Sequence, residues 1–218
     1  MTIKAIIFDF GEVLNRSADR QEVAARRAEV AARLGVPIED LWAYLFDRES
    51  SEKWMTGRLT WDEFWTEVLA PHNITDPAEI RDFARWVLPK TKSLNPDMVQ
   101  LLGELKDRFA LAVLSNATWR EEQMGKMLHN DLELPDDTFD VIVTSSSVGV
   151  VKPHLEIFRQ VLARLGVKAE EAIFTDDMPQ FTAAAASLGI HSHTFTSPAE
   201  FRQYLTTFGI MTGDPISD

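Results

Sequence analysis

Among its 218 residues the chain has no cysteine. That excludes disulfides, thiolate nucleophiles and cysteine-held metals, while saying little by itself about compartment. Also missing is any uninterrupted apolar run near the roughly 20 residues that cross a bilayer. The opening MTIKAIIFDF has no separate hydrophobic segment ahead of a small-residue cleavage site, so the expectation is a cytoplasmic protein without membrane association. Positive charge is scarce, with 22 Lys and Arg against 34 Asp and Glu and a formal charge of -12. Nonspecific nucleic-acid binding needs a basic surface and is excluded on that ground. An anionic small substrate remains compatible where a local cation or metal offsets the repulsion. No internal repeat or low-complexity tract is present.

The composition, 45% apolar and 26% charged, is that of an ordinary globular protein. The length suits one large domain or one domain carrying an insertion. Ile3 to Phe8 is a short, β-branched apolar run that reads as a buried parallel strand. Similar runs follow at Ala110 to Leu114, Val141 to Thr144, Ala172 to Thr175 and His191 to Phe195. Helical patterns lie between or after them. Asn95-Pro96 caps a helix carrying Met98, Leu101, Leu102 and Leu105 at helical spacing. His154 to Leu165 presents Leu155, Phe158, Val161, Leu162 and Leu165 and stops at Gly166. Ser197-Pro198-Ala199-Glu200 reads as a capping box. This alternation implies an α/β fold with a doubly wound, mainly parallel five-stranded, Rossmann-like core.

Between residues 16 and 90 the alternation gives way to helix alone. Ala18 to Leu34 is alanine-rich and ends at Gly35, with Pro37 beyond; Thr60-Trp61-Asp62-Glu63 and Asp76-Pro77-Ala78-Glu79 are two further helix starts. The division expected is a core of 1–15 with 91–218 and an inserted helical cap of 16–90. Five of the six tryptophans, Trp42, Trp54, Trp61, Trp65 and Trp86, fall in the insert, where large rings are expected to fill the middle of a small bundle. The tail MTGDPISD is expected to fray.

In an open α/β sheet, ligands bind outside the carboxyl ends of the strands. The expected strands end at Asp9, at Ser115-Asn116, shortly before Lys152-Pro153, and at Asp176-Asp177. Taken singly, each has a plain structural explanation as a turn, a cap or a solvated lysine. Taken together they fit phosphoryl transfer. Converging carboxylates repel one another unless a hard cation such as Mg²⁺ joins them. A carboxylate beside that cation can then attack phosphorus. Ser115 and nearby backbone N–H groups suit nonbridging phosphate oxygens, and Lys152 suits the developing charge. His191 and His193 alternate along the last strand and are expected to be structural, and His154 is expected to help start its helix.

Four blocks, FDFGEVL, VLSNA, VGVVKPHLEIF and FTDDMP, make the chain resemble the haloacid dehalogenase-like (HAD) superfamily of hydrolases over essentially its whole length. The helical insert follows the first block, as in the members that carry their cap there. The resemblance is nearest to the DxG-type members, the group of α-D-glucose-1-phosphate phosphatase. It implies that Asp9 is the nucleophile and a Mg²⁺ ligand, with the Gly11 carbonyl and Asp177 as further ligands and Asp176 farther out, orienting Lys152. Gly11, Glu12, Ser115, Asn116 and Lys152 are implied around the phosphate, and the substrate is implied to be a small phosphorylated metabolite such as a sugar phosphate. A monomer or homodimer is expected.

Two positions depart from the superfamily's pattern. Gly11 stands where most phosphatases of this superfamily carry a second aspartate, the general acid and base; Glu12 is adjacent, but successive side chains on a strand point to opposite faces, which weighs against it as a substitute. Phe181 stands where many relatives carry Asn or Asp. Two other readings stay open: a metal-independent haloacid dehalogenase, and a noncatalytic binding protein that has kept the fold.

Overall fold

The structure, a computed structural model, describes residues 2–15, 20–87 and 93–211, without the side chains of 20–23 and 86. Ala18, the Trp86 ring and the tail from residue 212 on therefore lie outside the described residues. Contacts divide the chain into two units, Met1–Arg16 with Leu94–Asp218, and Ser17–Ser93.

The first unit is built on five parallel strands, β1 (Ala5–Phe8), β2 (Ala110–Ser115), β3 (Val141–Thr144), β4 (Ala172–Asp176) and β5 (His191–Thr194), in the order β3-β2-β1-β4-β5. β1 starts two residues later than its apolar run, while β2 and β4 each extend one residue further, so that Ser115 and Asp176 belong to the sheet itself. Every residue of β1 is buried because the strand lies in the centre with a layer on both faces. Side chains alternate across it. Ile6, Phe8, Leu111, Val113 and Ile173 pack on one side with Met98, Leu101 and Phe201. Ile7, Ala112, Leu114 and Phe174 pack on the other with Ile157, Phe158 and Val161. The expected doubly wound α/β core is the one observed.

The flanking helices form largely where the caps place them. Asn95 accepts a hydrogen bond from the Asp97 N–H at the start of Pro96–Leu105. Leu155–Leu165 stops at Gly166, whose φ of 67° is left-handed. Its buried stripe is centred on Ile157, Phe158, Val161 and Leu162, with Leu155 and Leu165 only half-buried. The Ser197 box is half made. Ser197 accepts from the Glu200 N–H at 3.2 Å, but the Glu200 carboxylate takes the Thr196 hydroxyl, one residue earlier than the motif implies.

Among its described residues the second unit has helices and connecting loops but no strand, with Arg20–Leu34, Leu41–Phe46, Glu49–Met55, Trp61–Leu69 and Pro77–Val87 as its α-helices. Thr60 and Glu63 complete a reciprocal capping box. Trp54 and Trp65 do fill the core, Trp54 stacking on Phe64 with ring centroids 4.5 Å apart. Trp42 does not. It is 40% exposed, lies against Phe46 and carries the Arg27 guanidinium over its face. The helix Leu41–Phe46 turns Leu41 and Leu45 inward, which leaves position 42 facing out.

Trp65→Ala is accordingly expected to lower unfolding free energy by about 3–5 kcal/mol, and Trp42→Ala by under about 1 kcal/mol. Urea unfolding of the two variants tests the difference.

Candidate active site

The sheet runs outward from β1 to β3 on one side and then returns to β4 on the other. The order therefore reverses between β1 and β4, where such sheets open a crevice at their carboxyl ends. Register brings the chemistry there. Phe8 is level with Thr175 and with Val113, and the Asp9 N–H donates to the Thr175 carbonyl at 2.9 Å. Asp9 is thus held beside Asp176. The chain then turns sharply: Phe10, Val13 and Leu14 are buried while Glu12 adopts a left-handed φ of 55° and points its side chain to solvent. Its N–H donates to Asn15 Oδ1 at 2.6 Å.

Lys152 arrives from the loop after β3 and is only 3% exposed. Its Nζ donates to Asp9 Oδ1 at 2.6 Å, to Asp176 Oδ2 at 2.6 Å and to the Leu114 carbonyl at 3.1 Å. An ammonium has three N–H donors, and these contacts use them all. The rings of Phe181 and Phe174 flank the charge at 5.1 and 5.7 Å. Burial pulls the Lys152 pKa down, but Asp9 and Asp176 outweigh it and hold it above the ordinary value. Asp176, fully buried, is committed at both oxygens, with Oδ1 accepting the Met178 N–H at 2.9 Å.

Asp9, Asp176 and Asp177 can each place a carboxylate oxygen within 4.8 Å of the others. One ammonium does not neutralise three carboxylates. Burial pushes Asp9 up to about 7, with Lys152 opposing and Asp176 adding to the rise. Burial followed by Asp176 pushes the half-buried Asp177 up to about 6. An excess of close, hard oxygen donors at one spot fits a divalent cation such as Mg²⁺.

Ser115 is buried at the tip of β2. Asn116 turns its amide onto the main chain of Lys152. Gly11 lies directly beside the nucleophile candidate: a side-chain carbon added there would stand 3.5 Å from Asp9 Oδ2, an ordinary contact. Glu12 stays outside the cluster, although its charge adds to the rise at Asp177. His193 bonds Thr175 Oγ1 at 3.3 Å and packs at a tilt against Phe201 and Tyr204, and His191 meets Phe208 edge-on. His154 precedes its helix, its carbonyl accepting the Ile157 N–H. Sequence reasoning passed over the Leu114 carbonyl, a backbone group with no residue-type signal, and Ser145, one of three consecutive serines. The Ser145 hydroxyl accepts from the Ala117 N–H at 3.0 Å and donates to the Ala117 carbonyl at 3.2 Å.

A family model described as haloacid dehalogenase-like hydrolase matches residues 3–189. The chain is 28% identical over 214 residues to a drimenol cyclase of Aspergillus calidoustus, covering 94% of this chain but only 36% of that protein. It is 29% identical over 182 residues to a glyceraldehyde 3-phosphate phosphatase of Methanocaldococcus jannaschii, covering 80% of this chain and 76% of that one. Among solved structures, a HAD family enzyme from Bacteroides thetaiotaomicron superposes with a TM-score of 0.68 at 20% identity, covering 94% of this chain and 99% of its own. The same enzyme in complex with magnesium and inorganic phosphate superposes with a TM-score of 0.63 at 20% identity over 89% and 94% of the two chains.

A cation at this cluster would compete with protons for the same carboxylates. Asp9 moves from its ordinary 3.8 to about 7, so the folded, metal-free chain binds more protons than the unfolded one across that window and loses stability as pH rises through it. Mg²⁺ bound there at about 100 times its Kd would add about 2.7 kcal/mol, which for a chain of this size would raise Tm by about 5–10 °C. The rise is expected to be full near pH 8, to shrink as pH falls through about 7 and 6, and to be largely lost in Asp177→Asn. Thermal melts with and without Mg²⁺ across this pH range measure it.

Proposed function

Because the chain belongs to the haloacid dehalogenase-like hydrolase family, we propose that it is a Mg²⁺-dependent phosphatase acting on a small phosphate monoester, with Asp9 as nucleophile. The observation that carries this reading is the cluster of Asp9, Asp176 and Asp177 around one buried ammonium. A haloacid dehalogenase working without metal has no use for that excess of negative charge.

In this reading Asp9 Oδ1 is tied to Lys152, which orients the carboxylate. Oδ2, on the Gly11 side, is the attacking oxygen. It forms a bond to phosphorus as the ester bond breaks, and the alcohol leaves with a proton from water, the resulting hydroxide being neutralised by the proton that the second water gives up. A second water attacks the aspartyl-phosphate, releasing inorganic phosphate and restoring Asp9. Asp9, Asp177 and the Gly11 carbonyl would hold Mg²⁺, which when bound screens the repulsion between the carboxylate and the phosphate. Ser115 and the main chain at Gly11 would receive phosphate oxygens. The Glu12 N–H is already given to Asn15, which argues against it as a phosphate donor. Lys152 acts through Asp9 and by its charge, since its three donors are in use.

The archaeal phosphatase likeness supports a small phosphorylated metabolite, a triose or hexose phosphate, as substrate class. General acid-base help contributes about 10²- to 10⁴-fold. Gly11 supplies none, so turnover is expected to fall steeply with leaving-group pKa.

A panel of phosphate esters assayed with Mg²⁺ and with EDTA tests the reading. Metal-dependent turnover that disappears in Asp9→Asn supports it; no turnover on any ester, or unchanged turnover in the variant, overturns it. Halide release from a 2-haloacid that persists in EDTA would assign dehalogenation instead. The φ of -66° at Gly11 accepts a side chain. Gly11→Asp is therefore expected to speed alkyl phosphates by about 10²-fold while changing p-nitrophenyl phosphate little, as kcat on the two substrate types will show.

A further inference from the structure

We infer that Asn116 is a positioning residue for Lys152 and contributes through that lysine, its place beside Ser115 at the tip of β2 notwithstanding. Its amide closes a two-point clasp on one residue 36 positions away. Oδ1 accepts the Lys152 N–H at 2.7 Å, and Nδ2 donates to the Lys152 carbonyl at 3.0 Å. An amide paired with both main-chain groups of one residue reproduces the pairing of neighbouring strands and fixes position and orientation together.

The clasp matters because of what lies at the far end of the side chain. A lysine stem is long and flexible, and holding it in one conformation costs rotamer freedom. Here Nζ must meet Asp9, Asp176 and the Leu114 carbonyl at once. Anchoring the main chain fixes the point and direction from which the stem starts, so that the ammonium falls within reach of all three acceptors. The anchor is itself held. Ser145, fully buried, both accepts from and donates to the main chain of Ala117, the residue after Asn116. The segments after β2 and β3 are thus locked together by hydrogen bonds that include two at Asn116 and three at Ala117, the third from the Ser146 N–H at 3.3 Å. Nδ2 keeps one further N–H, and whether that N–H serves a phosphate is what the experiment separates.

The kinetic arm rests on the phosphatase reading; the structural arm does not. In the first, kcat, KM and inhibition by inorganic phosphate are measured for the full chain, Asn116→Ala, Lys152→Met and the double variant. A positioning role lowers kcat of Asn116→Ala by about tenfold or more, leaves phosphate inhibition within about twofold, and adds less than about twofold in the Lys152→Met background. Additive losses with weakened phosphate inhibition make Asn116 a phosphate ligand and overturn the inference. Asn116→Asp keeps the volume and the acceptor but loses the donor to the Lys152 carbonyl. Its intermediate effect guards against an alanine variant that fails to fold.

In the second arm, crystal structures of the two Asn116 variants locate Nζ. Displacement from Asp9 and Asp176 upholds the inference, and a lysine left in place overturns it. If the unsubstituted chain turns over no ester, the phosphatase reading falls and the position of Nζ alone decides this one.

Discussion

A single ammonium buried between two aspartates is the constraint on which the catalytic unit turns. Lys152 Nζ lies 2.6 Å from both Asp9 and Asp176, and a charge taken out of water is tolerated only when paired and fully hydrogen-bonded. The requirement reaches far into the fold. β1 and β4 must be adjacent and in a register that sets Asp9 beside Asp176. Leu114 must end its carbonyl at the third donor, and the loop carrying Lys152 must approach β2 closely enough to be clasped by Asn116. Removing one member would leave an uncompensated charge in the interior, which is more damaging than never having built the group.

The same arrangement leaves negative charge in excess. Desolvation pushes both Asp9 and Asp177 upward, to about 7 and about 6, so near neutral pH protonation would oppose the binding of a cation. Asp176 gives both oxygens to protein partners and Asp9 gives one. In the proposed chemistry the open oxygen of Asp9 and the more exposed Asp177 carry the burden, with Gly11 leaving room beside the nucleophile that no side chain fills.

Much of this was legible from residue order. β-branched apolar runs separated by amphipathic helices announce a parallel sheet because strands buried on both faces have no polar side to show. Asp9 and Asp176-Asp177 stand out because they interrupt such runs. Other features were hidden. Nothing near Lys152 in the sequence distinguishes a fully buried lysine from a solvated one, since its partners are 143 and 24 residues away. Asn116 beside Ser115 suggested a shared ligand, but the clasp on Lys152 depends on a loop 36 residues on. Trp42 shared its composition signal with Trp54 and Trp65, and only the helix phase separated the exposed ring from the buried ones.

By itself, then, the sequence determined the sheet, its flanking helices, the helical insert and the strand-end carboxylates, because periodicity, capping and apolar runs are local properties. Tertiary structure alone decided which oxygen of Asp9 is tied, that all three lysine donors are used, that Phe181 lies against the ammonium and that Asn116 faces Lys152. Those depend on distances between residues remote along the chain, and register and burial settle them only once the sheet has formed.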